Sequence, residues 1–391
     1  MPTVATTTST IRLGAIGMGL RLQGVLRHLL KQNSRIRLNS VFDPFEPYVE
    51  AGEELAGGGV IRRDDWRAVV TDPDIDWVMI GSPNCFHEEQ TIAALEAGKH
   101  VFCEKPLAID LDSCLRVADA VRNAPGRFVF GLVLRYSPHY QAMRHLLAEG
   151  KIGKLISFEF NETLRIGHGG YIFGNWRRDA SIAGSHILEK TCHDLDLANW
   201  MADSLPVRVA SFGGRQYFVP KHAYLKDLAG TMPDGQSRFQ AWPDPHSVDP
   251  FSAGATIFDH QVVILEYANG VKATFHTNCA AGLPERRFYL CGTEGSLRGE
   301  VYTGDMVLQR IDQDQPEACS SGSFGGHGGG DEVMAQQMAA TMLDDQPPLA
   351  GLREALQSAT VAFAIDKAAE TGAVVDLRPM WSRCGIDPNQ P

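Results

Sequence analysis

Short apolar runs alternate with helical periods over the first third of the chain. The runs have the length of buried strands and lie at residues 11–16, 37–42, 77–80, 101–103 and 128–133. Between the first two runs, Leu22, Val25 and Leu26 recur at helical spacing. Strands that alternate with helices form a parallel sheet whose carboxyl ends open on one crevice. The pattern therefore predicts an α/β domain with a ligand crevice along one edge of its sheet.

After residue 132 the pattern changes to period-two alternation with short turns. A helix is predicted over residues 139–149, and Asn269-Gly270 is a strong hairpin signal. Half-buried strands are predicted at residues 156–160, 207–212, 262–267, 271–276, 288–291 and 306–311. We therefore predict two domains, residues 1–132 and residues 133–391, of which the second is an α+β unit with a largely antiparallel sheet.

Two further stretches of the second domain bear on its function. An irregular insertion from about residue 215 to residue 251 is rich in Pro, Asp and Gly. Long insertions of this kind are usually functional or exposed, and we expect this one to close over one side of a substrate. Helical periodicity returns at residues 332–343 and 352–370, and these helices could pack back on the first domain.

The turn after the first strand has the layout of a dinucleotide-binding unit. Gly17-Met18-Gly19 joins the strand to an amphipathic helix, and the second strand ends in Asp43. Such glycines let the backbone approach a pyrophosphate, the helix N-terminus offers unpaired N–H groups, and the acid accepts hydrogen bonds from ribose hydroxyls. Leu22 stands where the fingerprint has its third glycine, so we expect the helix and strand to pack slightly further apart.

Charge is also concentrated at the ends of two later strands. Glu104 and Lys105 directly follow the apolar run at 101–103, and the run at 77–80 ends in a turn that includes Ser82. A Glu-Lys pair alone is usually a surface ion pair. Because a predicted helix separates the two strands, both ends should open on the same crevice, which favours a functional site.

A second polar group lies in the passage 184–197. On one continuous helix, Glu189 and His193 are four residues apart and His193 and Asp196 three apart, so their side chains share a face. One alternative is an ordinary surface pair. The apolar residues on the rest of the helix indicate instead that much of it is covered, which favours a buried polar site.

Composition excludes several functional classes. The chain has 391 residues, a formal net charge of -11 and no basic run, which disfavours nucleic acid and membrane surfaces as partners. Its eight cysteines form no C-x-x-C pair and no cluster with histidine, so we predict reduced thiols, no metal site and a cytoplasmic location. Residues 1–10 lack the pattern of an export signal.

The motifs together resemble the Gfo/Idh/MocA oxidoreductases, the family of glucose-fructose oxidoreductase and inositol dehydrogenase. The similarity covers most of the chain and rests on Gly17-Met18-Gly19, Asp43, Ser82-Pro83-Asn84 with His87, residues 97–106, Asn175-Trp176-Arg177 and residues 189–196. It implies an N-terminal Rossmann domain that binds NAD(P) and a second domain with an open, mainly antiparallel sheet backed by helices. It also implies that Lys105 and His193 form the catalytic pair.

The resemblance further implies which residues contact the ligands. Glu189 stands where the family commonly has Asp, and it either touches the substrate or orients His193. Residues expected at the cofactor are Gly17, Met18, Gly19, Leu20, Asp43, Ser82, Pro83, Asn84, His87, Glu104, Lys105, Trp176 and Arg177. Residues expected at the substrate are Arg135, Tyr136, Glu189, His193 and His327. The glycine-rich segment 323–331, which contains His327, is either a flexible connector or such a contact.

We therefore predict an NAD-dependent dehydrogenase that acts on a secondary hydroxyl of a sugar, a sugar derivative or a cyclitol. The charge of Asp43 favours NAD over NADP, since it would repel a 2′-phosphate. Two alternatives stay open: a glycoside-cleaving or epimerising enzyme that recycles its NAD, and a non-catalytic NAD sensor. The predicted partners are a polyhydroxylated small molecule and further copies of the chain, joined as a dimer or tetramer through the C-terminal sheet.

Overall fold

The computed structural model describes residues 10–320, 322 and 326–390. The predicted lack of an export signal concerns residues 1–10, of which 1–9 lie outside the described residues, as do residues 323–325 of the glycine-rich segment. Across the described ranges, no helix has both the length and the apolar character needed to span a membrane.

A six-stranded parallel sheet is formed by the first third of the chain. Its strands are β1 (Ile11–Ile16), β2 (Ile36–Phe42), β3 (Ile61–Arg62), β4 (Trp77–Ile80), β5 (His100–Cys103) and β6 (Phe128–Phe130). The helices between them are α1 (Leu20–Gln32), α2 (Glu46–Ala56), α3 (Trp66–Val70), α4 (His87–Glu96) and α5 (Leu111–Asn123). The strand order β3-β2-β1-β4-β5-β6 is that of a Rossmann domain, so the predicted fold class is confirmed for this part.

Leu22, the residue at the third fingerprint position, fits against the sheet because the residue it faces there is a glycine. Leu22 on α1 packs over Gly81, which directly follows β4. A Cβ at Gly81 would lie 2.7 Å from Leu22 Cβ, too close for any other residue type. The glycine that allows close packing of helix and sheet is therefore the residue after β4 rather than a residue of α1.

A nine-stranded sheet forms the second half of the chain. Its strands are β7 (Leu155–Arg165), β8 (Pro206–Gly214), β9 (His260–Tyr267), β10 (Lys272–Ala281), β11 (Arg287–Gly292), β12 (Gly295–Glu300), β13 (Asp305–Arg310), β14 (Glu317–Ala318) and β15 (Val375–Asp376). They are ordered β14-β13-β12-β11-β7-β10-β9-β8-β15, and the pair β7 and β10 is parallel while the other pairs are antiparallel. The predicted open, mainly antiparallel sheet is therefore confirmed.

The helices of the second domain are α6 (Pro138–Ala148), α7 (Ile166–Phe173), α8 (Ala180–Ala183), α9 (His186–Glu189), α10 (Cys192–Ala202), α11 (Leu225–Ala229), α12 (Gly330–Asp344), α13 (Leu352–Thr371) and α14 (Arg378–Cys384). Of these, α6, α7, α10 and α13 pack on strands of the nine-stranded sheet. The C-terminal helices return to the first domain, where α12 packs on α1 and α13 on α5. An ion pair between Arg21 and Asp331 joins α1 to α12.

The prediction that Glu189, His193 and Asp196 lie on one continuous helix is wrong. Helix α9 ends at Glu189 and α10 begins at Cys192. In a continuous helix, the carbonyl of Glu189 would accept from the amide of His193, but here it accepts from the Lys105 ammonium. The hydroxyl of Thr191 also bonds the Ile187 carbonyl, and such side-chain bonds compete with the helical ladder.

The predicted strand at 128–133 is also shorter than expected. Strand β6 ends at Phe130, and a 3-10 turn over Val133–Tyr136 follows. The insertion contains α11 and a 3-10 turn at Pro220–His222, and its remainder is largely irregular. Phe218, Phe239 and Phe251 of the insertion pack with Phe173 of α7 in a small apolar core that is separate from the main one.

Candidate active site

A cleft of about 680 Å³ lies at the carboxyl ends of β1, β2 and β4, and residues of both domains line it. Its walls include twelve of the residues that the sequence predicted for the cofactor or the substrate. They are Gly17, Gly19, Leu20, Asp43, Ser82, Pro83, Lys105, Trp176, Arg177, Glu189, His193 and His327. Most of the predicted site residues are therefore brought together in one cavity.

The glycine turn fits a pyrophosphate. Gly17 has φ +80°, and a Cβ there would lie 2.4 Å from the main-chain nitrogen of Ser82. Gly19 is the N-cap residue of α1, whose N-terminus receives no side-chain cap from the described residues, and a Cβ at Gly19 would meet no atom within 4 Å. Unpaired amides and open space at a helix N-terminus are what an anionic group requires.

Asp43 is fixed by two main-chain amides. Its Oδ2 accepts from the amide of Met18 at 2.7 Å, and its Oδ1 accepts from the amide of Phe45 at 2.9 Å. Burial raises the pKa of Asp43, and the two amides oppose that rise. A carboxylate has about four acceptor positions, so two remain for the hydroxyls of a ribose in the cleft.

The opposite end of the cleft contains a network of charges around Glu189. Its Oε1 accepts from Lys105 Nζ at 3.1 Å and from Arg177 Nε at 3.0 Å. The guanidinium of Arg177 also donates to the hydroxyl of Tyr171 and lies 4.3 Å from the centre of the Trp176 ring. Burial by itself would raise the pKa of Glu189, but the cations of Lys105 and Arg177 outweigh it and hold that pKa far below its ordinary value. Glu189 is therefore an anion that positions two cations.

His193 lies beside this network and is almost fully buried. Among the described residues, its Nδ1 has no hydrogen-bond partner. Burial lowers its pKa well below the ordinary value of 6.5, and the nearby charges of Lys105 and Arg286 lower it further. A histidine with a lowered pKa is neutral at pH 7, so its ring can accept a proton.

His327 approaches the same place from the glycine-rich segment. It has φ +54°, in the left-handed region, as do Gly328 and Gly329 after it. Its Nδ1 lies 2.8 Å from an oxygen of Asp331, and its ring centre is 6.3 Å from that of His193. The backbone of this turn thus presents the imidazole to the cleft.

Four residues that we expected at the cofactor do not line the cleft but support it. The buried side chain of Asn84 donates to the Ala183 carbonyl at 2.7 Å. The ring nitrogens of His87 lie 2.7 Å from the Pro106 carbonyl and 2.9 Å from the Ser82 carbonyl. Glu104 forms an ion pair with Arg21. Met18 is buried, and its main-chain amide donates to Asp43.

Two residues expected at the substrate lie elsewhere. Arg135 and Tyr136 are in the 3-10 turn after β6, and neither residue lines the cleft. Arg135 Nε bonds Asp196 at 2.7 Å, and its guanidinium lies over the ring of Trp200. Tyr136 is buried in the core. Asp196 is therefore engaged by Arg135, and the predicted grouping of Asp196 with Glu189 and His193 is not formed.

Sequence reasoning missed several residues of the cleft. Lys190 lines it and has its Nζ 3.2 Å from a Glu162 oxygen. Glu162 also pairs with Arg286, which donates two hydrogen bonds to Asp194. Lys190 directly follows Glu189 in the sequence, and this position could have identified it as a residue of the site. His168, Tyr171, Trp242, Asp244 and His246 also line the cleft, and no local motif marks them.

Comparisons with known proteins agree with this geometry. A family model described as an oxidoreductase family with an NAD-binding Rossmann fold matches residues 11–132, and a model of the GFO/IDH/MocA C-terminal domain matches residues 140–298. The protein is thus an oxidoreductase whose first domain binds NAD. The chain belongs to the Gfo/Idh/MocA family, as the sequence motifs predicted.

Similar proteins act on sugars. The chain is 27% identical over 313 residues to 1,5-anhydro-D-fructose reductase of Ensifer adhaerens, covering 79% of this chain and 82% of the relative. It is 30% identical over 257 residues to levoglucosan dehydrogenase of Pseudarthrobacter phenanthrenivorans, covering 63% of each. A solved structure of levoglucosan dehydrogenase with NADH and levoglucosan aligns with a TM-score of 0.76 at 20% identity, covering 95% of this chain and all of that one, which confirms the fold.

Proposed function

We propose that the enzyme oxidises a secondary hydroxyl of a pyranose-sized, polyhydroxylated ring, with NAD as its cofactor. The observation that supports this most is the neutral, buried His193 beside the ammonium of Lys105. Lys105 binds the hydroxyl oxygen and stabilises the charge that develops on it. Because Nδ1 of His193 is enclosed, we assign acceptance of the hydroxyl proton to Nε2. Bound NAD supplies the acceptor for the hydride that leaves the carbon.

The cleft wall suits a ligand with many hydroxyls. Glu189, Arg177, Tyr171, Lys190 and His327 all present polar atoms to the cavity. A ligand without hydroxyls would leave those groups unpaired, at about 1–3 kcal/mol for each. The enzyme should therefore act poorly on simple alcohols.

A substrate panel tests the proposal. NADH absorbance should rise with cyclitols, free sugars or anhydrosugars and should stay near background with 2-propanol and cyclohexanol. Comparable kcat/KM values for cyclohexanol and the best sugar would contradict it. Glycoside cleavage or epimerisation without net NADH would show that the cofactor is recycled within the cycle.

We propose residues 1–132 as the nucleotide-binding domain and residues 133–391 as the domain for substrate and subunit contacts. Strand β6 ends at Phe130 and the second sheet lies wholly beyond it. We also propose a cytoplasmic location, since all eight cysteines are free thiols and disulfides are rare in that compartment.

We propose that the second sheet forms the interface of a homodimer or homotetramer. Phe212 on β8 is 71% exposed, and Val262 and Ile264 on β9 are 50% and 55% exposed. Phe212 pairs with Val262 across the strands, and Ile264 lies two residues further along the same face. An apolar face of this kind marks a protein contact. Light scattering should show an oligomer that Ile264→Lys weakens, and a wild-type monomer would refute the interface.

A further inference from the structure

We propose that residues 242–246, here called the strap, close the adenosine end of the cofactor cleft and that His246 contacts the cofactor there. The strap belongs to the insertion of the second domain. If the strap closes this end of the cleft, the insertion determines how tightly the cofactor is retained rather than which substrate is chosen. The inference rests on the proposed function, because it requires that NAD occupy the cleft.

Both ends of the strap are hydrogen-bonded to the region of α7. The amide of Ala241 donates to the carbonyl of Gly167 at 3.0 Å, and the amide of Val248 donates to the carbonyl of Gly174 at 2.8 Å. These bonds fix the chain just before and just after the strap. The residues between them must therefore bridge a defined gap over the cleft.

The glycines of α7 allow the insertion to approach this closely. A Cβ at Gly170 would lie 2.0 Å from the carbonyl oxygen of Phe239, and one at Gly174 would lie 2.9 Å from that of Val248. Either side chain would push the insertion away from the helix. The run of glycines in α7, which is unfavourable for a helix, thus has a structural purpose.

The composition of the strap makes it stiff. Its sequence is Trp-Pro-Asp-Pro-His, and each proline fixes its own φ and restricts the residue before it. Asp244 adds a turn by accepting the amide of His246 at 2.9 Å. A stiff segment loses little entropy when it covers a ligand, which suits a permanent cover more than a disordered loop.

The strap spans from the second domain to the first. At its start, the ring of Trp242 contacts the rings of His168 and Tyr171, with centres 4.7 Å and 5.2 Å apart. At its end, the ring of His246 contacts that of Phe45, with centres 5.1 Å apart. Trp242, Asp244 and His246 all line the cleft.

The contact with Phe45 identifies which end of the cleft is covered. Phe45 lies two residues after Asp43, the acid at the end of β2, and its amide bonds that carboxylate. An acid in this position of a Rossmann domain binds the adenosine ribose. The imidazole of His246 is therefore next to the adenosine half of the site, where it can bond a hydroxyl or a phosphate oxygen.

The experiment measures NADH binding to the intact enzyme and two variants. We expect His246→Ala to raise the NADH Kd and the release rate about tenfold, which corresponds to the loss of one hydrogen bond. Replacing Pro243 and Pro245 by Gly should also speed release. Stopped-flow fluorescence measures both quantities, and the KM for the sugar at saturating NAD should keep its wild-type value.

His222→Ala is the matched control. His222 is another histidine of the insertion, but its ring lies against Tyr217 and does not line the cleft. NADH binding should not change in this variant. Thermal melting shows whether each variant is folded. If either the histidine variant or the proline variant fails to fold, the other one still tests the strap.

The outcomes separate the strap from the proposed function. Wild-type Kd and release rate in both strap variants would overturn the inference while NAD-dependent turnover stands. A raised sugar KM with unchanged NADH binding would also overturn it, since the strap would then serve the substrate. Failure of the wild-type enzyme to bind NADH would instead refute the proposed function.

Discussion

The ammonium of Lys105 is held by Glu189 twice, through the side-chain carboxylate at 3.1 Å and through the main-chain carbonyl. The two residues are 84 positions apart, and Lys105 follows a strand of the first sheet whereas Glu189 ends a helix of the second domain. The second bond is available because α9 ends at Glu189. The break in the helix thus fixes the position of the ammonium to which we assign the substrate hydroxyl.

Glu189→Gln should reduce both turnover and stability. It removes the anion that pairs with Lys105 and Arg177, and breaking a buried pair costs about 3–5 kcal/mol. We expect kcat to fall on the order of 100-fold, at the lower end of the effect of losing a positioned acid–base group, and the melting temperature to fall with it. Glu189→Asp keeps the charge and is the control, which should recover most of both losses. Wild-type kcat in the Gln variant would exclude a positioning role.

His193→Ala should separate chemistry from cofactor binding. Loss of the base should lower kcat by about 10²–10⁴, whereas the NADH Kd should stay close to that of the wild type, because the glycine turn and Asp43 are intact. Steady-state rates and NADH fluorescence measure the two effects. If kcat on the true substrate were nearly normal, the proton acceptor would be another group.

The same residue makes a prediction for pH. Burial, with Lys105 and Arg286, lowers the pKa of His193 well below 6.5, so the neutral base persists into acid. The kcat/KM for sugar oxidation should therefore remain level as the pH falls through 6.5 and decline only at lower pH. A decline centred on the ordinary histidine value would show that His193 is not the titrating base or is solvated.

Asp43→Asn should narrow the preference for NAD over NADP. The change removes the charge that repels a 2′-phosphate but keeps an oxygen for the amide of Met18 or Phe45. Asp43→Ser removes both the charge and the carboxylate oxygens that accept from these amides. A comparison of the two variants therefore separates the effect of the charge from the effect of supporting the turn. Steady-state kcat/KM with each cofactor measures the preference, and a wild-type enzyme that favours NADP would show the assignment to be wrong.

Asp366→Asn should stabilise the protein at high pH. Asp366 on α13 accepts from the hydroxyl of Ser185, and burial raises its pKa from 3.8 to about 7. Between these values the native state holds a proton that the unfolded chain has lost, so wild-type stability falls as the pH rises through this window. The melting temperature of Asp366→Asn should exceed that of the wild type by more at pH 8 than at pH 5. The exposed Asp314→Asn is the control, and an equal gain at both pH values would contradict the assignment.

The sequence by itself determined the two sheets and the chemistry at the strand ends. Apolar runs with intervening helical periods predict β1, β2, β4 and β5, because most of the side chains in these strands are buried. Gly17, Gly19 and Asp43 are recognisable because their roles are local: one turn, one helix start and one strand end. Lys105 belongs to the same class, since its motif directly follows a buried strand.

Very short strands and one strand that contains two glycines were not predicted. Strands β3, β14 and β15 have two residues each, and β12 has glycine at its first and fifth positions. Their positions follow from pairing with neighbours already in place. Propensity within so few residues is too weak to decide between strand and turn.

Only the tertiary structure decided which polar side chains meet. Periodicity placed Asp196 beside His193, but Arg135 engages Asp196, and α9 ends at Glu189, so the expected face does not form. The contact between His246 and Phe45 joins residues about 200 positions apart in the chain. No local pattern encodes such pairs, because the free energy of a buried polar group depends on the partner that the completed fold brings to it.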